Sequence, residues 1–222
     1  MPPKSWITKQ DWPRIQRAAK ATTRDHIRSW KSLVAIQGGK VNGSTLTLPK
    51  GSFMYNQNLE HELLAALPPA TAYRTTAQGW SKAVGEAWRR WVVGYQVVSP
   101  GAYPSFVASV LPYAPPTPNV PFPLATGASF TEQELLENNL HQAIKDAIGP
   151  RNYNEPNAAT AVGDFAKWLS TSFQTWRLTL IMQSIMGEGP VPTLAPPYVP
   201  AGPVVGKAWA NPGFLTGPTF PD

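Results

Sequence analysis

Two stretches of this chain limit its fold more than any other feature. Residues 112–123 carry Pro112, Pro115, Pro116, Pro118, Pro121 and Pro123, and residues 190–203 carry Pro190, Pro192, Pro196, Pro197, Pro200 and Pro203. Each ring fixes φ and removes a backbone donor, so at this density neither a helix nor a central strand can form. The spacing predicts extended, polyproline-like arms. At about 3.1 Å per residue, twelve residues reach about 37 Å, enough to cross a small neighbouring domain. The chain as a whole holds 25 prolines in 222 residues, roughly twice the ordinary share of about 5%.

Each arm follows a segment that resembles the other. Gly51 opens GSFMYNQNLEHELLAAL and Ala128 opens ASFTEQELLENNLHQAI; further on, AVGEAWRRW from Ala83 matches AVGDFAKW from Ala161. Phe53 aligns with Phe130, Leu59 with Leu136, Glu60 with Glu137 and Leu63 with Leu140. The pattern reads as a tandem duplication, the kind of signal to be settled before any fold is assigned. Within each unit the apolar positions Leu59, Leu63, Ala66 and Leu67, then Trp80, Val84, Ala87, Trp91 and Tyr95, keep helical spacing. The second unit repeats this with Val162, Phe165, Leu169, Phe173, Trp176 and Leu180, and its helix is expected to run to about Met186, where Gly187-Glu188-Gly189-Pro190 stops it. Ser52 and Ser129 are the expected caps, Ser129 with Glu132 in capping-box spacing, and Pro68-Pro69 and Gly149-Pro150 the expected stops of the first helix of each unit. The fold expected is mostly α: two tandem helical hairpins with extended proline-rich arms.

Ahead of the repeats, Asp11 and Pro13 mark the start of a further helix reaching about Val34. IQGGKVNGSTLTLP then suits a small β-hairpin near residues 35–48, turning at Asn42-Gly43. The organisation expected is an N-terminal basic helix and hairpin over 1–50, repeat one over 51–127, repeat two over 128–206 and an extended C-terminal tail over 207–222.

Arg14, Arg17, Lys20, Arg24, Arg28 and Lys31 step along the first helix by three or four residues, in a chain of formal net charge +6. Such a stripe suits phosphates or an acidic protein surface, and equally a solvated helix face. Sequence-specific nucleic-acid motifs are absent from the sequence. There are no cysteines, which excludes disulfides and thiolate chemistry. MPPKSWITKQDW lacks a signal-peptide core, and no window approaches the length of a membrane span. His26, His61 and His141 fall in no metal-ligand spacing, no cofactor fingerprint is present, and Glu60 and Glu137 are the one carboxylate pair that the repeat could bring together. Trp6 and Trp209 lie outside the periodic segments. With Pro196, Pro197, Tyr198, Phe214 and Phe220 they are the candidate anchors in pockets on other chains, since buried aromatics dominate interface energy.

The duplicated hairpins, the arm LAPPYVPAGPVVGKAWANPGFLTGPTFPD and the lack of cysteine resemble, in style, structural proteins of tailed-bacteriophage particles such as neck, tail or baseplate components. That resemblance implies a virion part without cofactor or turnover, whose partners are other subunits of the assembly, copies of itself included, with no membrane. Two other readings stand beside it: a non-specific nucleic-acid binder using the basic helix, and an enzyme whose site forms between the repeats.

Overall fold

The computed structural model describes residues 11–67, 74–192, 200 and 202–222. Five helices are described: α1 (Trp12–Leu33), α2 (Leu59–Ala66), α3 (Arg74–Gly94), α4 (Glu137–Tyr153) and α5 (Ala158–Thr179). The strands are β1 (Ala35–Asn42), β2 (Thr45–Leu48), β3 (Phe53–Met54), β4 (Tyr95–Ser99), β5 (Tyr113–Pro118), β6 (Phe122–Pro123), β7 (Ala128–Ser129), β8 (Ile181–Met182), β9 (Met186–Pro190), β10 (Val205–Ala210) and β11 (Leu215–Thr216). The expectation of a mostly α fold is therefore wrong. An eight-stranded antiparallel sheet in the order β5-β9-β10-β1-β2-β4-β7, with β3 on β1, and a three-stranded sheet β11-β8-β6 make this an α/β mixture.

The helices do not form two self-contained hairpins. Helix α1 packs on α2 and α5, α2 on α3, α3 on α4 and α4 on α5, so the contacts close a circuit with α1 as the joining member. The inside of that circuit is aromatic. Trp30 meets Trp88 at 5.5 Å, Trp91 at 5.7 Å and Trp176 at 6.2 Å between ring centroids, and Trp91 meets Phe173 edge-on at 4.8 Å. Edge-to-face pairs of this kind add about 0.5–1.5 kcal/mol each beyond the area they bury.

Helix limits also depart from the periodic pattern. Asn58, not Ser52, caps α2 by accepting from the Glu60 amide at 2.9 Å. Ser52 Oγ instead donates to the Pro49 carbonyl. Ser129 bonds Thr131, and Glu132 leaves the expected capping box to pair with Arg177 of α5. The helical backbone of α4 is interrupted at Gly149, at φ +79° and ψ 159°, as the Gly149-Pro150 pair leads one to expect, and a further helical stretch follows from Pro150; α5 ends at Thr179, seven residues before Met186. Pro68-Pro69 lies outside the described residues.

The Gly187-Glu188-Gly189-Pro190 run is not a helix stop but strand β9. Glycines on both strands let β9 and β10 approach: a Cβ on Gly189 would lie 2.7 Å from the Val205 oxygen, and one on Gly206 of β10 would lie 1.9 Å from the Glu188 oxygen. The β1–β2 turn is Gly43-Ser44, one residue later than expected, with Gly43 at φ +54° in the first central position that a type II′ loop requires.

The first arm is also placed differently. Residues 113–118 form β5, the edge strand, where missing proline donors leave no ladder bond unmade. Asn119, buried behind it, donates to the Met182 carbonyl and accepts from the Ile185 amide at 2.8 Å. The arm is thus stitched to its own molecule. So is the expected tail: β10 lies in the middle of the sheet, between β1 and β9.

Candidate functional site

The basic stripe meets a partner within the chain. Beside α1 and α5 runs the segment 217–222. Arg24 and Arg28 both reach Asp222 Oδ1 at 3.1 Å, Arg28 Nε donates to the Phe220 carbonyl at 2.8 Å, and Lys31 Nζ donates to the Gly217 carbonyl. From the other wall, Trp176 Nε1 donates to the Pro218 carbonyl and Trp168 Nε1 to the Asp222 carbonyl, both at 3.1 Å. Phe220 lies fully buried, with its ring 5.3 Å from Trp176 and 5.9 Å from Trp168. Burial of that ring contributes about 1.5–3 kcal/mol. The ion pairs contribute at most about 1 kcal/mol, because the Asp222 side chain is 84% exposed. Bonding to Asp25, with Asp222 nearby, holds the Arg24 guanidinium above its usual range, and burial pushes the Lys31 ammonium below its own.

The remaining stripe residues are less engaged with the tail. Lys20 lies 5.5 Å over the Trp168 ring, Arg17 bonds the Pro13 carbonyl, and Arg14 is exposed. The aromatic anchors expected to enter other chains behave differently. Phe214 is buried 6.0 Å from Phe53, Phe220 fills the pocket just described, and Trp209 sits half-buried on β10. The two phenylalanines are core residues and not outward anchors, because the chain's own helices and sheet offer apolar surface to cover. Trp6, Pro196, Pro197 and Tyr198 lie outside the described residues.

Two polar places could suggest chemistry. A groove of 760 Å³ between α3 and α4 is lined by Lys82, Glu86 and Arg90 on one side and Glu134, Asn139 and Asp146 on the other. Neither Glu60 nor Glu137 lines it, so the carboxylate pair suggested by the repeat is not assembled there. Arg90 is already held by Glu86 at 3.2 Å and Glu134 at 3.4 Å. The other place was not legible in the sequence: buried His26 of α1 meets Glu62 of α2 through Nδ1 at 2.9 Å. Burial lowers the His26 pKa and Glu62 opposes this. Its Nε2 is enclosed without a partner, and its ring lies edge-on to Tyr55 and Trp88. The Nδ1 contact ties α1 to α2, and His26 and Glu62 both line an open depression of 510 Å³ together with Thr22, Asp25, Ser29 and Gln57. Among the described residues no group of three or more metal-ligating side chains occurs.

Several large apolar side chains close together in sequence are exposed beside the edge of the sheet. After the helical turn Pro104–Phe106, Val107, Val110, Leu111 and Tyr113 are exposed by 55, 76, 53 and 50%. The loop is nevertheless anchored. Phe106 is buried, stacked 5.2 Å from Tyr103, its carbonyl accepts from the Val204 amide at 3.0 Å, and the Ser109 amide donates to the Gly202 carbonyl at 3.1 Å. The apolar rim runs directly into edge strand β5. The run FVASVLPY, with one polar residue in eight, was its signal in the sequence.

The chain matches no protein-family model, no curated protein and no solved structure. Among the described residues no helix is long and apolar enough to cross a membrane.

Proposed function

We propose that this chain is a non-enzymatic structural subunit of a multi-subunit assembly and that it docks on other copies of itself through the rim formed by residues 107–113 and the adjoining edge β5. The observation that carries this reading is the group of four large exposed apolar side chains within seven residues, Val107, Val110, Leu111 and Tyr113, held on an anchored loop. Contiguous apolar surface on a rigid base is what an interface presents before its partner arrives. Prolines at positions 115, 116 and 118 keep β5 from adding further strands through its backbone, so contact there is made by side chains. The resemblance in style to neck, tail and baseplate components supports a virion as the setting, where one subunit meets many copies.

The nucleic-acid reading loses support, because Arg24, Arg28 and Lys31 already hold the segment 217–222. The test is the mass of the chain in solution over a range of concentrations. The expected result is association that the double variant Val110→Asp, Leu111→Asp removes while the melting temperature stays unchanged. A chain that remains monomeric at every concentration overturns the proposal.

A further inference from the structure

We propose that the groove between α1 and α5 is a receptor for a short Phe-Pro-Asp segment and that a second copy of this chain can supply that segment in place of the chain's own residues 217–222. The groove recognises three chemical features at once. A ring enters between Trp168 and Trp176, main-chain carbonyls meet Arg28, Lys31 and the two indole N–H groups, and a carboxylate meets Arg24 and Arg28. None of these contacts reads the covalent path from β11 to the segment. An identical segment from a neighbour satisfies the same donors, which is the condition for exchange between copies.

The receptor is rigid without its ligand. Trp176 also packs on Trp30 at 6.2 Å and on Phe173 at 6.4 Å, and Trp168 on Phe165 at 5.8 Å, so both walls are set by the helix circuit. The segment, by contrast, opens on a glycine in positive-φ backbone, Gly217 at φ +123°, where it leaves β11. At such a position the chain can turn in more than one direction at little steric cost. The Asp222 carboxylate is paired at the surface of the groove, with its side chain 84% exposed. This places the exchange on residues separate from the rim at 107–113, so either proposal can fail alone.

The probe is a labelled hexapeptide, GPTFPD. Wild-type chain is expected to bind it weakly, because its own segment competes. The Phe220→Ala chain is expected to bind it at least tenfold more tightly, and adding Arg28→Ala is expected to remove that gain. A Phe220→Ala chain that keeps its circular dichroism yet binds no better than wild type overturns the proposal. A second measurement leaves groove and segment intact. Tagged and untagged chains, both carrying Leu111→Asp to silence the rim, are mixed at high concentration and recovered through the tag. Co-recovery that an excess of the hexapeptide abolishes supports exchange. Absence of co-recovery, or co-recovery indifferent to the hexapeptide, overturns it.

Discussion

Residues 107–118 and 211–222 are alike in composition and opposite in placement. VASVLPYAPPTP leaves Val107, Val110, Leu111 and Tyr113 in solvent, whereas NPGFLTGPTFPD buries Phe214, Leu215 and Phe220. Both are proline-bearing and short of charge, so composition does not decide between them. What differs is the surface within reach. The second segment passes the helix circuit, whose inward Trp168 and Trp176 leave a slot for a ring and whose outward Arg24, Arg28 and Lys31 supply donors. The first ends in β5 at the far edge of the sheet, with β9 on one side and, among the described residues, no strand on the other. Prolines withhold backbone bonding from a segment; they leave open whether its side chains find a home.

The comparison is most exposed to failure at Phe220. Replacing it with alanine is expected to destabilise the chain by about 3 kcal/mol, at the low end for a buried phenylalanine, read as a fall in melting temperature. An unchanged melting temperature would place the two segments in the same class. Next comes Gly206→Ala, since a Cβ there would sit 1.9 Å from the Glu188 oxygen. Forcing β9 and β10 apart is expected to cost about 1–3 kcal/mol in denaturant titration. The joint variant Arg24→Ala, Arg28→Ala is expected to cost about 1 kcal/mol at low ionic strength and less in molar salt, because the carboxylate they share faces water. The smallest effect on stability belongs to the rim. Val110→Asp is expected to stay within about 0.5 kcal/mol of wild type, and a larger loss would mean that Val110 is packed rather than presented.

The periodic parts of the molecule were readable from residue spacing. The faces of α1, α3 and α5 follow from Ile15 to Trp30, Trp80 to Trp91 and Val162 to Trp176, because a buried helix face must recur every three to four residues. Among the strands only the β1–β2 hairpin was readable, from IQGGKVNGSTLTLP; the others were not. β3, β6, β7, β8 and β11 are two residues each, too short to show alternation, and β9 and β10 contain glycines and proline that propensity assigns to turns. Their partners lie far away in sequence, and pairing of that kind leaves no local mark. The basic stripe was legible as a stripe; its partner, Asp222, was not, since a single carboxylate at distance looks like any other. His26 and Glu62 stayed hidden for the same reason.

The position of β10 sets an order of events during synthesis. Lys40 of β1 faces Lys207, 167 positions later. At roughly 5–20 residues per second, a ribosome needs on the order of ten to thirty seconds to supply that partner. Throughout this interval β1 and β2 can pair as a hairpin, while the other flank of β1 stays open to any extended chain nearby. A nascent chain in this state is most vulnerable to mispairing before Val205 emerges, and a chaperone that covers residues 35–42 would act in that window.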